Sequence, residues 1–70
     1  MSYDYSKLRG RIVEKFGTIR KFADAMNMSY TSASNKLNNI VPWDQLEIEK
    51  AIELLEVEWL YVNEYFFAKQ

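Results

Sequence analysis

Apolar residues recur along this chain in short bursts at helical spacing. Tyr5, Leu8, Ile12, Val13 and Phe16 fall three or four residues apart and predict a first helix with one buried stripe. Asp4 stands where a capping side chain is wanted, and Gly17 where the helix must stop in a left-handed residue. Ile19, Phe22, Ala23 and Met26 repeat the pattern and predict a second helix, capped by Thr18. After a break at Asn27-Met28, where Asn tolerates positive φ, a third run opens on its cap Ser29 and extends to about Leu37. Asn38-Asn39 ends it, and Ile40-Val41-Pro42 connects onward. Asp44 and Glu47 form a capping pair for a fourth helix to about Leu55, burying Ile48, Ala51, Ile52 and Leu55. A short fifth helix is expected over about Glu58 to Tyr61, and beyond Asn63 the pattern chooses neither helix nor extended chain.

The third run differs from the others. Ala33 and Leu37 are its apolar positions, helped by Met28, while Tyr30, Thr31, Ser34, Asn35 and Asn38 face outward. Ser, Thr and Asn are mediocre helix formers, so neither propensity nor packing accounts for such a face. Two short helices joined by a tight turn over Thr18–Asn39, the second presenting hydrogen-bonding groups, describe a helix-turn-helix. The fold expected is an all-α bundle of about five short helices, one domain over residues 1–70. Gly10 weakens the first helix by about 1 kcal/mol relative to Ala and leaves room for another helix to approach.

Length limits what this bundle does. A chain of 70 residues buries only about 60% of its unfolded surface, so the core is small and function must sit on an outer face. No Cys or His is present, which removes a thiolate nucleophile, the commonest general base and the commonest transition-metal ligand; neither a metal nor a cofactor is expected. Glu49 and Glu53 lie at helical spacing, but glutamates there are solvated rather than catalytic, and no enzyme is expected. No leader-like segment and no run near the roughly 20 apolar residues of a membrane span occurs, so the protein is expected to be soluble and cytoplasmic.

Net charge is −1, low for a nucleic-acid binder, but its distribution is uneven. Residues 1–43 carry seven basic side chains against three acidic ones, and residues 44–70 carry seven acidic against two basic. Lys7, Arg11 and Lys15 recur every four residues as a ridge. A basic front and an acidic back read as two surfaces with different partners, or as solvated faces of uneven sign.

The segment from Phe22-Ala23 through Asn27-Met28-Ser29 to Ala33-Ser34 resembles the helix-turn-helix core of Cro/CI-like phage repressors. The phrases DYSKLRGRIVEKFGT, KFADAM, SNKLNN-x-VPW and EYFF resemble, more narrowly, small Cro-like and modulator-of-repression proteins of phages of low-GC Gram-positive bacteria. The resemblance covers nearly the whole chain. It implies a five-helix domain of the lambda-repressor type acting in a lysis–lysogeny switch in the bacterial host. It also places base-reading positions on Tyr30, Thr31, Ser34 and Asn35, and phosphate contacts near Thr18, Ile19, Lys36 and Asn38. Family members often carry Gln where Ile19 stands, as a phosphate clamp, and that contact is missing here.

Two functions follow. The first is an operator-binding regulator whose DNA site is Thr18, Arg20, Lys21, Ser29, Tyr30, Thr31, Ser34, Asn35, Lys36 and Asn38. Asn pairs bidentately with adenine, and the basic side chains and helix N-termini meet phosphate. No Arg on the third helix reads guanine, so such binding would be weak or salt-sensitive unless the protein dimerises. The alternative is an antirepressor that binds a CI-type repressor through Tyr30, Asn35, Tyr65, Phe66 and Phe67. Trp59 and Leu60 are expected to fold back into the core, whereas Tyr65 to Phe67 serve either as core or as anchors for a partner.

Overall fold

A computed structural model describes residues 2–70. It contains α1 (Ser6–Phe16), α2 (Ile19–Ala25), α3 (Tyr30–Leu37), α4 (Gln45–Leu55), a 3₁₀ turn at Trp59–Tyr61 and α5 (Val62–Phe66). The all-α expectation holds, and the tail continues as helix through Phe66 before returning to the N-terminal strand-like segment at an antiparallel bridge between Tyr3 and Lys69.

Helix ends are set by local chemistry. Thr18 Oγ1 accepts from Lys21 N–H at 3.1 Å and Ser29 Oγ from Ser32 N–H at 3.1 Å, each satisfying an orphan amide. Asp44 and Glu47 close the full capping box, the Glu47 carboxylate accepting from Asp44 N–H at 3.0 Å and Asp44 from Glu47 N–H at 2.8 Å. Asp4 acts one residue early. Its carboxylate accepts from both Ser6 N–H and Ser6 Oγ, while Tyr5 occupies the cap position.

At their C-termini α2, α3 and α4 stop in the same way. The first residue past each turn takes positive φ, at Asn27 (60°), Asn39 (64°) and Glu56 (55°). In α2 the Asn27 and Met28 amides donate back to Asp24 O and Ala23 O, both at 3.0 Å. Asn39 and Ile40 repeat this on Lys36 and Asn35, and Glu56 and Val57 on Glu53 and Ile52.

The core is built from Tyr5, Leu8 and Ile12 of the first segment, Phe22 and Met26 of α2, Leu37 of α3, Ala51, Ile52 and Leu55 of α4, and Phe66 of α5. Trp43 sits among them as a hub. Its ring meets Phe66 edge-on at 5.4 Å and Phe22 at 6.5 Å, and Phe22 in turn meets Phe16 at 5.6 Å. One local signal for its burial was available: Trp43 immediately precedes the cap Asp44 and lies over Ile48, the two positions of a hydrophobic staple.

Three expectations are corrected here. Val13 is 53% exposed, because it sits a further 100° round α1 from Ile12 and leaves the buried stripe. Nothing lies within 4 Å of a Cβ built on Gly10, so no helix approaches there. Trp59 and Leu60, expected in the core, are 58% and 77% exposed, because the 3₁₀ turn swings them outward before Phe66 re-enters.

The two charge halves pair with each other. Lys7 binds Glu64, and Lys15 binds Glu56 at 2.8 Å. Arg11 donates to Leu55 O at 2.9 Å and to Glu14 at 2.8 Å. The basic ridge of α1 is therefore the seam against the C-terminal part of the chain, and it is not an open surface for a separate partner.

Candidate functional site

The α2–turn–α3 unit presents the face that the sequence singles out. Its turn is held by the paired amide bonds at Asn27 and Met28, and by Met28 packing on the core. Phe22 and Ala23 of α2 and Ala33 of α3 are fully buried, which locks the two helices together.

Tyr30 and Thr31 open the exposed side of α3. The Arg20 guanidinium lies 4.7 Å from the centre of the Tyr30 ring, so α2 and α3 contribute one stacked cation–aromatic platform. Thr18 and Ser29 are exposed but spend their oxygens on capping. The Thr18 hydroxyl proton is still available at the amide-rich start of its helix, whereas Ser29 donates its own to Ser32 Oγ at 3.1 Å. Lys21 is exposed and makes no ion pair among the described residues.

Further along, Asn38 Nδ2 donates to Ser34 Oγ at 3.2 Å, and Asn38 Oδ1 accepts from Arg9 Nη2 at 2.7 Å. Arg9 is thus a site residue that sequence reading missed; it reaches across 29 positions to brace the end of α3. Asn35 is half-buried, and its carbonyl accepts from Ile40 and Val41 while no bond occupies its amide side chain among the described residues.

Lys36 departs from expectation. It is only 9% exposed and turns away from the outward face. Its ammonium pairs with Glu47 at 2.9 Å, donates to Pro42 O at 3.3 Å and lies 6.0 Å from the Trp43 ring centre. Glu47 supplies one oxygen both to this pair and to the capping box of α4. Lys36 is thereby a structural tie between α3 and α4, and the cation expected for phosphate is withdrawn from the surface.

The residues proposed as C-terminal anchors divide. Phe66 is 2% exposed and belongs to the core, which corrects its reading as a contact for a partner. Tyr65 is half-buried with Lys7 5.3 Å from its ring centre, and Phe67 is 44% exposed with its ring edge-on to Tyr3 at 6.0 Å. Tyr30 and Asn35 share α3, whereas Tyr65 to Phe67 belong to α5 and the residue after it, and no hydrogen bond or ring contact joins the two groups among the described residues. Among the described residues there is no cluster of acidic side chains suited to a metal, and no helix is long and apolar enough to cross a membrane.

Comparison with known proteins agrees with this architecture. A family model described as "Protein of unknown function (DUF739)" matches residues 1–69. No curated protein matches the chain. Among solved structures, the solution structure of the modulator of repression (MOR) of the temperate bacteriophage TP901-1 from Lactococcus lactis superposes with a TM-score of 0.84. It is 49% identical in sequence over 96% of this chain and 90% of that one. The chain therefore belongs to the DUF739 family and shares both fold and ancestry with a phage modulator of repression.

Proposed function

We propose that this protein modulates a phage repressor by binding the repressor protein, with the α2–α3 face as the contact surface. This reverses the order of the two functions expected from sequence. The observation that carries it is the state of the cations around α3. Lys36 is buried against Glu47, Arg9 is committed to Asn38 and Leu37 O, and only Arg20 and Lys21 stand on the exposed face beside Asp24. Counterion release by one or two side chains gives little affinity for a duplex. The same face is well suited to protein recognition, with an aromatic platform, an open amide at Asn35 and hydroxyls at Thr31 and Ser34. The 49% identity to a modulator of repression supports the same reading. A partner whose own operator-reading surface docked here would be masked from DNA.

Co-expression with the CI-type repressor of the same phage tests this. A single heterocomplex is expected on size exclusion, weakened at least about tenfold by Tyr30→Ala with Asn35→Ala. Two separate peaks would sink the proposal. A specific mobility shift on operator DNA at low salt by this protein alone would return the function to direct operator binding.

A further inference from the structure

A second surface lies elsewhere on the molecule. α4 and α5 both pack on α1. Between α4 and the 3₁₀ turn with α5 runs a groove in two stretches, of about 360 Å³ and about 400 Å³, that share Trp59 and Glu49. Ile48, Ile52, Val57 and Val62 line its floor. Trp59, 58% exposed, stands as a wall common to both stretches. The lining positions on α4, Gln45, Ile48, Glu49, Ile52 and Glu53, follow one side of the helix for most of its length, about 12 Å, and Glu56 lies just past its end.

The rim of this groove is acidic, and three of its carboxylates are unneutralised. Glu49, Glu53 and Glu58 enter no ion pair among the described residues, whereas Glu14, Glu47, Glu56 and Glu64 are all paired. Lys50, the one basic residue of α4, is not in the lining. An apolar floor between a helix and a helical turn accepts a third helix, and three uncompensated carboxylates along its edge select a cationic one. A second copy of this chain related by a two-fold axis would set the three glutamates against their equivalents, which opposes self-association through this face.

We infer that this groove is a docking site for a short basic amphipathic helix of a protein partner. The apolar stripe of that helix lies on Ile48, Val57 and Val62 against Trp59, and its lysines or arginines meet Glu49, Glu53 and Glu58. No lining residue belongs to the α2–α3 face, so the site is independent of the function proposed above.

The test titrates the full ¹⁵N-labelled chain with a synthetic helical peptide of about 14 residues, leucines at i, i+3 and i+7 and lysines on both flanks. A second peptide carries glutamate in place of every lysine. With the basic peptide, shifts are expected at the Trp59 indole and the Val57 and Val62 amides, with a blue shift of Trp59 fluorescence. Affinity is expected to fall at least about tenfold in Trp59→Ala, and similarly in the triple variant Glu49→Lys, Glu53→Lys, Glu58→Lys. All four side chains are exposed, so these variants fold, and circular dichroism checks that they do. Equal binding of the acidic peptide, shifts spread away from the groove, no shifts, or unchanged affinity in both variants overturns the inference. Sedimentation showing a Trp59-dependent dimer without peptide would overturn it in favour of a second copy. Tyr30→Ala leaves the titration unchanged, so failure here and failure of repressor binding through α3 are told apart.

Discussion

At the scale of single residues, Lys36 carries the most information. Its stem is buried and its ammonium has three partners, Glu47 in the first turn of α4 and Pro42 and Trp43 in the segment that leads into it. Removing a cation from a nearly buried pair leaves Glu47 in poor solvent, which costs more than the pair itself contributes. Lys36→Ala is therefore expected to lower unfolding free energy by about 2 kcal/mol in urea titration. Lys36→Met, which keeps the apolar stem, is expected to lose less. A stability unchanged by Lys36→Ala would mean that the side chain is a surface cation after all. Sequence reading placed Lys36 outward because α3 has polar residues on every side but one, and the pull of Pro42 O and Glu47 is visible only once α4 is in place. Trp43 poses the opposite problem: its indole N–H is buried with no partner among the described residues, yet its ring packs against two other aromatics, Phe22 and Phe66, and lies near the Lys36 ammonium.

Elements in this fold are defined as much by how they stop as by how they start. Thr18, Ser29 and Asp44 were legible in the sequence because a cap is a local arrangement of four residues. Asn27 was legible for the same reason, whereas Glu56 gave no sign, since Glu is not a residue that favours the left-handed region. A short helix was legible where the 3₁₀ turn forms at Trp59–Tyr61, but its tighter winding was not, and Trp59 and Leu60 face outward instead of into the core. Asn39 combines both sorts of information. It takes the left-handed conformation that ends α3, and its side chain both accepts from Tyr3 N–H and donates to Tyr3 O, each at 2.9 Å. Asn39→Gly, which keeps the backbone and loses the two bonds, is expected to cost about 1–2 kcal/mol. Asn39→Ala adds left-handed strain and is expected to cost about 1–2 kcal/mol more in thermal or urea unfolding. Equal losses in the two variants would show that the turn is not held by its conformation.

For the whole molecule, electrostatics set the range of pH over which the fold is secure. Hydrogen bonds from Ser6 hold the Asp4 carboxyl below its ordinary value of 3.8, and Lys15 holds Glu56 below 4.5. Both groups are favoured as anions in the folded state, so their contribution is present above those values and is lost as pH falls through the lowered ones. Glu64 holds Lys7 above 10.5, and burial with the neighbouring Tyr3 pushes the Tyr5 phenol above 10.0. These contributions are present below those values and are lost as pH rises past them. With no His in the chain, stability is expected to stay flat from about pH 5 to 9 and to fall on either side, as followed by thermal unfolding. A step near pH 6.5 would contradict this.

The pairing of residues 3–4 with 68–69 has a mechanical consequence. Asp4 N–H donates to Ala68 O at 2.7 Å, Tyr3 bridges Lys69, and Asn39 grips Tyr3 from the end of α3. Residues 3–4 and 68–69 thus run as a two-ply ribbon, and the chain between them is close to a closed ring. Peeling one ply exposes the backbone of the other, so the ends fray together, and a pull on either is delivered to the tip of α3 through Asn39.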